Sequence, residues 1–252
     1  MNERVGPRAI NVLGVRVHDV TYNEALDIIE GFVGSTETHQ VATVNPEFIM
    51  AAQEDEDFKE ILNQVSLALP DGVGLLWGSH ILGQPLRQRV AGVDTVERLA
   101  ALSARKGYRL FLLGAAPGVA EETARCLCSR YSGLQVVGTC AGSADVQEEP
   151  EILKRIHDAR PDFLLVAYGA PKQEKWIYRN RSTLGVAMAM GVGGSFDFIS
   201  GRAVRAPRWI RRIGLEWLHR LYREPWRWER MLALPRFAGS VLMEGISSRL
   251  GR

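Results

Sequence analysis

The sequence predicts an α/β fold in which a mostly parallel sheet carries helices on both faces and is followed by a helical C-terminal appendage. Three observations lead there. Short apolar runs ending in Gly, Pro, Asn or Asp recur between residues 39 and 190, stretches with helical spacing separate them, and the charge changes sign near Gly201. Strand–helix alternation at this rhythm suits a Rossmann-like arrangement, since parallel strands need long crossovers and helices supply them.

The apolar runs are 39–45 (HQVATVN), 66–69 (SLAL), 108–113 (YRLFLL), 134–140 (LQVVGTC), 162–168 (DFLLVAY) and 184–190 (LGVAMAM), each read as a buried strand. Helical spacing covers 21–33, 55–64, 73–82, 93–106, 117–131, 147–160 and 171–183, and Thr21 with Glu24 forms a capping-box pattern ahead of the first. The opening INVLGVRV reads as a small hairpin.

With 252 residues, 46% hydrophobic and 24% charged, the chain has enough apolar mass for a large core, which excludes a disordered or disulfide-stapled class. Cys126, Cys128 and Cys140 are too few and too clustered for a disulfide framework. No window of about 18 apolar residues occurs and MNERVGPRAI is polar, so neither a transmembrane helix nor a secretory signal is expected. The default compartment is the cytoplasm.

Residues 1–200 hold 19 Lys and Arg against 25 Asp and Glu, a net −6, whereas residues 201–252 hold 12 Arg against 4 Glu, a net +8. The total of +2 therefore divides into an acidic body, 1–200, and a basic appendage, 201–252, suited to meeting phosphates. On a helical wheel Trp209, Ile210, Ile213, Trp217, Leu218 and Leu221 share one arc, with Arg208, Arg212, Arg220 and Arg223 opposite. Three readings fit this amphipathic pattern: a helix docked on the body, a helix lying at an anionic membrane surface, or a binder of single-stranded nucleic acid. The apolar face leaves a homo-oligomer equally open.

Ligands of open parallel sheets bind beyond the carboxyl ends of the strands, and the polar residues cluster there. Asp71, in LALPDGVG, is either an ordinary Asp-Gly turn residue or a general base in a partly desolvated cleft. Thr43 and Asn45 lie two apart on a strand end; they cap the next helix, with Pro46 at its first position, or bond a ligand hydroxyl. The loop from Gly114 to Gly118 lacks both dinucleotide and Walker patterns, leaving only a weak phosphate signal and arguing against a nucleotide-dependent oxidoreductase. In YGAPKQEKW, Gly169, Lys172, Gln173 and Glu174 crowd a strand-to-helix turn; Lys172 and Gln173 suit a ligand better than a helix first turn. Gly193, in GVGGSFDF, lets backbone approach a partner closely. No metal site is expected, because the five histidines are scattered and Asp55-Glu56-Asp57 reads as an acidic helix start.

The stretches TVNPEF (43–48), LPDGVGLLW (69–77), RVAGVD (89–94), FLLGAAPGVAE (111–121), YGAPKQEKWI (168–177), GVGGSFDFISG (191–201), RAPRW (205–209) and LEWLHRLYREPWRWER (215–230) resemble the WecG/TagA/CpsF family of bacterial glycosyltransferases. The resemblance implies inverting transfer of a ManNAc-, ManNAcA- or Glc-type sugar from a UDP-sugar to an undecaprenyl-diphosphate-linked sugar, with no metal or other cofactor. By the same resemblance Asp71 is the base, Thr43 and Asn45 meet sugar and nucleotide, and Gln173 faces the substrate cleft. Arg220, Arg223, Arg227 and Arg230 would lie in an appendage that joins the cytoplasmic membrane face peripherally and completes the site. His219 stands where the family usually has an aromatic.

Overall fold

The computed structural model describes residues 6–250; the side chains of residues 208, 212, 227 and 248–250 lie outside that description. Strands β1 (Ala9–Val12) and β2 (Val15–His18) form the expected antiparallel hairpin. Then follow α1 (Tyr22–Glu30), β3 (His39–Val44), α2 (Pro46–Glu54), α3 (Glu56–Gln64), β4 (Leu67–Pro70), α4 (Val73–Ile81) and α5 (Gly92–Lys106). The middle of the chain supplies β5 (Arg109–Gly114), α6 (Val119–Arg130), β6 (Gln135–Cys140), α7 (Glu149–Ala159), β7 (Phe163–Ala167), α8 (Lys172–Asn180), β8 (Met188–Gly191) and α9 (Ser195–Ile199). The appendage comprises α10 (Arg208–Arg212), α11 (Glu216–Arg223), a 3₁₀ turn (Pro225–Arg227), α12 (Trp228–Met231) and α13 (Ala233–Leu250).

Six strands form one sheet in the order β4-β3-β8-β7-β5-β6, every pair parallel. Alternation along the strands divides the core. Val41, Leu69, Leu112, Leu165 and Met190 point to the face covered by α1, α5, α6 and α9. Ala42, Val44 and Ala68 point to the other, under the hairpin, α2, α3, α4 and α13. Farther along that face, Leu113, Leu164 and Val166 lie under α7 and α8.

Local chemistry explains the boundaries. Thr21 Oγ1 accepts from Glu24 N–H at 3.3 Å while the Glu24 carboxylate accepts from Thr21 N–H at 2.8 Å, a complete capping box. Asp55 ends α2 and caps α3 through Phe58 N–H, and the Lys175 ammonium together with that bond lowers its pKa. The acidic triplet is thus a helix start.

The structure differs from the sequence expectations at three places. Helix α2 fills 46–54, which the spacing left unassigned although Asn45 and Pro46 signal its start. The last strand begins at Met188 rather than at residue 184. The single amphipathic helix expected through 209–221 is two helices: Gly214 turns the backbone at φ +79, and a Cβ there would meet Val73 Cγ1 at 2.9 Å, so the chain bends against α4. Helix α13 then returns to the body, burying Phe237 and Val241 against α2 and α4.

Candidate active site

Beyond the carboxyl ends of β3, β4, β7 and β8 lies an open cleft of about 450 Å³, within the size range of small-molecule sites. Thr43, Asn45, Asp71, Gly169, Gln173 and Gly193 line it, as do Arg220 and Arg230 from the appendage. Four of the five strand-end loops expected to converge therefore do so. The fifth does not: Gly114 is outside the lining, and its bare Cα serves packing, because a Cβ there would sit 2.8 Å from the Ala167 carbonyl carbon.

Asp71 is held from two sides. Its Oδ1 accepts from Arg89 Nε and its Oδ2 from the Gly92 backbone N–H, both at 3.2 Å. Proline 70 ends β4 and Gly72 opens α4, so the carboxylate projects from a short strand-to-helix turn into the cleft. Asn45 caps α2 through Phe48 N–H at 2.9 Å while also lining the cleft, so the two readings left open for it are compatible. Thr43 lies beside it, its hydroxyl 3.5 Å from the Gly191 carbonyl. Gln173 accepts from the N–H groups of Gly169 and Gly193 at 3.1 and 3.0 Å, joining two cleft loops.

The remaining candidates are placed elsewhere. Lys172 is exposed outside the cleft, since it opens α8 on the solvent side. Glu174 is fully buried behind Gln173, and Arg223, at the end of α11, is exposed outside the cleft. The Arg227 side chain lies outside the described residues. Arg230 reaches the cleft edge and pairs with Glu47 at 2.9 Å.

Four charged groups that the sequence reading gave no role complete the site. Arg89 Nη2 donates to Glu216 at 2.6 Å, Glu216 also accepts from Arg205 Nε at 3.0 Å, and Arg205 holds Asp94 with two bonds at 2.6 and 2.9 Å. Burial works against each charge, but the opposite neighbours outweigh it: Arg89 and Arg205 are raised, and Asp94 and Glu216 lowered, from their ordinary pKa values. Arg220, which also lines the cleft, stacks 4.9 Å above the Phe198 ring and lies so near Gly194 that a Cβ there would be 2.8 Å from its Nη2. Half-buried Asp197 lies within its field, and burial still lifts that carboxyl above the usual range. Among the described residues no cluster of three or more His, Cys, Asp or Glu is arranged to hold a metal. Arg89 and Asp197 stand within RVAGVD and GVGGSFDF, stretches quoted above for the family resemblance and for close backbone approach, neither of which assigns these two side chains a role.

A parallel sheet whose strand-end cleft gathers the Asp71 carboxylate and the guanidinium groups of Arg89 and Arg220 has the lining of a site for a polar ligand. The chain belongs to the Glycosyl transferase WecG/TagA/CpsF family, whose profile matches residues 10–251, and it is a glycosyltransferase. It is similar to an N-acetylglucosaminyldiphosphoundecaprenol N-acetyl-beta-D-mannosaminyltransferase of Bacillus subtilis (strain 168), 36% identical over 236 residues, covering 90% of this chain and 91% of the relative. The protein of the same description from Bacillus spizizenii is 36% identical over 202 residues, 80% of this chain and 78% of the relative. That from Staphylococcus aureus (strain MW2) is 30% identical over 239 residues, 94% and 93%.

Proposed function

We propose that the protein transfers an N-acetylmannosaminyl group from a UDP-sugar to a GlcNAc carried on a lipid diphosphate. The observation that carries this reading is the placement of Asp71 and Arg220 on one cleft, together with relatives that carry this description. Asp71 takes the proton from the acceptor hydroxyl as the oxygen attacks the anomeric carbon. The sugar–phosphate bond breaks on the far side, so configuration inverts in a single displacement. Arg220 faces the leaving diphosphate and supplies the positive charge that builds there, which assigns the reaction no metal. Thr43, Asn45 and Gln173 orient the donor, and the glycines at 169 and 193 bring backbone close to it.

The acceptor is dissolved in lipid, so the enzyme works on the cytoplasmic membrane face. Trp209, Trp226 and Tyr222 are exposed on the appendage, as a surface settling into the headgroup boundary requires. No helix among the described residues is long and apolar enough to cross a membrane. The test presents UDP-ManNAc, UDP-ManNAcA and UDP-Glc separately with a short-chain lipid-diphosphate GlcNAc. Mass spectrometry should find one added N-acetylhexosamine with the first donor. Product with UDP-Glc alone would overturn the donor assignment, and no product with any donor would overturn the whole reading.

A further inference from the structure

The wall of the cleft hides a carboxyl group that the transfer does not use. Glu174 has no solvent exposure and sits one residue beyond Gln173 on α8. Its Oε1 accepts from Gln173 Nε2 at 2.7 Å, and its Oε2 is buried without a donor among the described residues. Space for this pair comes from Gly191 at the end of β8, where a Cβ would lie 2.4 Å from Glu174 Oε1 and 2.5 Å from Gln173 Nε2.

The far end of the same amide does the work. Gln173 Oε1 accepts both loop N–H groups, from Gly169 between β7 and α8 and from Gly193 between β8 and α9. An amide turned end for end would face two N–H donors with its own NH₂ and lose both bonds. Glu174 decides between the orientations, because an accepting oxygen beside the amide requires its nitrogen there.

We propose that Glu174 is a positioning residue: its buried carboxyl selects the Gln173 orientation that clasps two loops of the donor-binding wall. The catalytic meaning of the clasp rests on the transferase reading above; the clasp itself does not. Charged groups on the surrounding elements are engaged elsewhere. Asp55 ahead of α3 pairs with Lys175, Glu149 on α7 with Arg179, and Asp162 before β7 accepts from Arg109 N–H. His39 on β3 lies between Ser35 and Ser66, and Asp197 on α9 faces Arg220. With no cation beside it among the described residues, burial pushes the Glu174 carboxyl up from 4.5 to about 8; the proton it then carries belongs on Oε2, because Oε1 accepts from Gln173. Between those two values the unfolded chain gives up a proton that the folded protein keeps, so stability falls as pH rises through that window.

The experiment compares wild type, Glu174→Gln and Glu174→Ala by thermal melting from about pH 5 to 9 and by kcat/KM for the donor over the same range. Glu174→Gln retains an acceptor toward Gln173 and cannot ionise. Its melting temperature should therefore decline less with pH than that of wild type, and its kcat/KM should stay within about threefold of wild type near pH 7. Glu174→Ala should lose about tenfold or more, mainly through a raised KM for the donor. Equal losses in the two variants, or a melting profile of Glu174→Gln as pH-dependent as wild type, would overturn the proposal. Altered melting in a protein that transfers no sugar would leave the clasp standing and overturn the transferase reading alone.

Discussion

Glu216 follows Arg89 by 127 residues, yet its carboxylate lies 2.6 Å from Nη2 of the Arg89 guanidinium whose Nε holds Asp71. The base candidate on β4–α4 and the first turn of α11 therefore share one cation. Arg205 extends the line to Asp94, so charges alternate from the cleft to the N-terminal turn of α5. Each group is at least two-thirds shielded, and each neutralises the next.

Replacing Asp71 with Asn keeps the shape and one of the two acceptor positions while removing the base, since the amide NH₂ cannot accept from Arg89 Nε or the Gly92 N–H. Transfer should fall by about 10² to 10⁴-fold, with a melting temperature close to wild type. Turnover within a factor of a few of wild type, measured on the same lipid-linked acceptor, would take Asp71 out of the chemistry.

Glu216→Gln leaves Arg89 and Arg205 without their shared anion. The expected cost is about 1–3 kcal/mol in urea unfolding, less than for a fully buried pair because water still reaches this one. Activity should drop along with it, since Arg89 is then free to swing relative to Asp71. A variant of wild-type stability and rate would show the bridge to be incidental.

His18 offers a pH test away from the site. Burial, reinforced by the nearby Arg16 charge, lowers its pKa from 6.5 to about 4, and its Nδ1 accepts from Ala68 N–H, which only an unprotonated nitrogen can do. The unfolded chain takes up a proton below 6.5 that the folded protein refuses until about 4, so this group's contribution to stability is lost as pH falls through that interval. His18→Asn should flatten the acid limb of the stability profile, and an unchanged limb would assign acid sensitivity to other groups.

Trp209 and Trp226 are 65% and 74% exposed and lie outside the cleft. Changing both to Ser should reduce co-sedimentation with anionic vesicles several-fold while leaving the melting temperature within a few degrees. Equal sedimentation of the two proteins would place the membrane contact elsewhere.

The sheet was legible because its strands are apolar on both faces, and six of six runs became strands. The Asp71, Thr43 and Gln173 positions were legible for a related reason: polar residues at the carboxyl ends of such strands have few other places to point. The break at Gly214 was hidden because a helical wheel assumes continuous helix and the turn depends on a tertiary contact with Val73. Arg89 and Glu216 were hidden because their meaning lies in each other, across most of the fold. Lys172 misled because a first-turn lysine is awkward for the helix dipole without thereby facing a ligand.

Helix α13 has a bearing on how the protein is made. Phe237 and Val241 share a core with Ile10 and Val12 of the first hairpin, so residues from opposite ends of the chain finish the same apolar layer. During synthesis the hairpin, α2 and α4 leave the ribosome long before the helix that covers them, and until then that layer stays open to water. The emerging chain therefore carries an adhesive surface until α13 arrives to cover it, an interval in which sticking to other chains competes with folding.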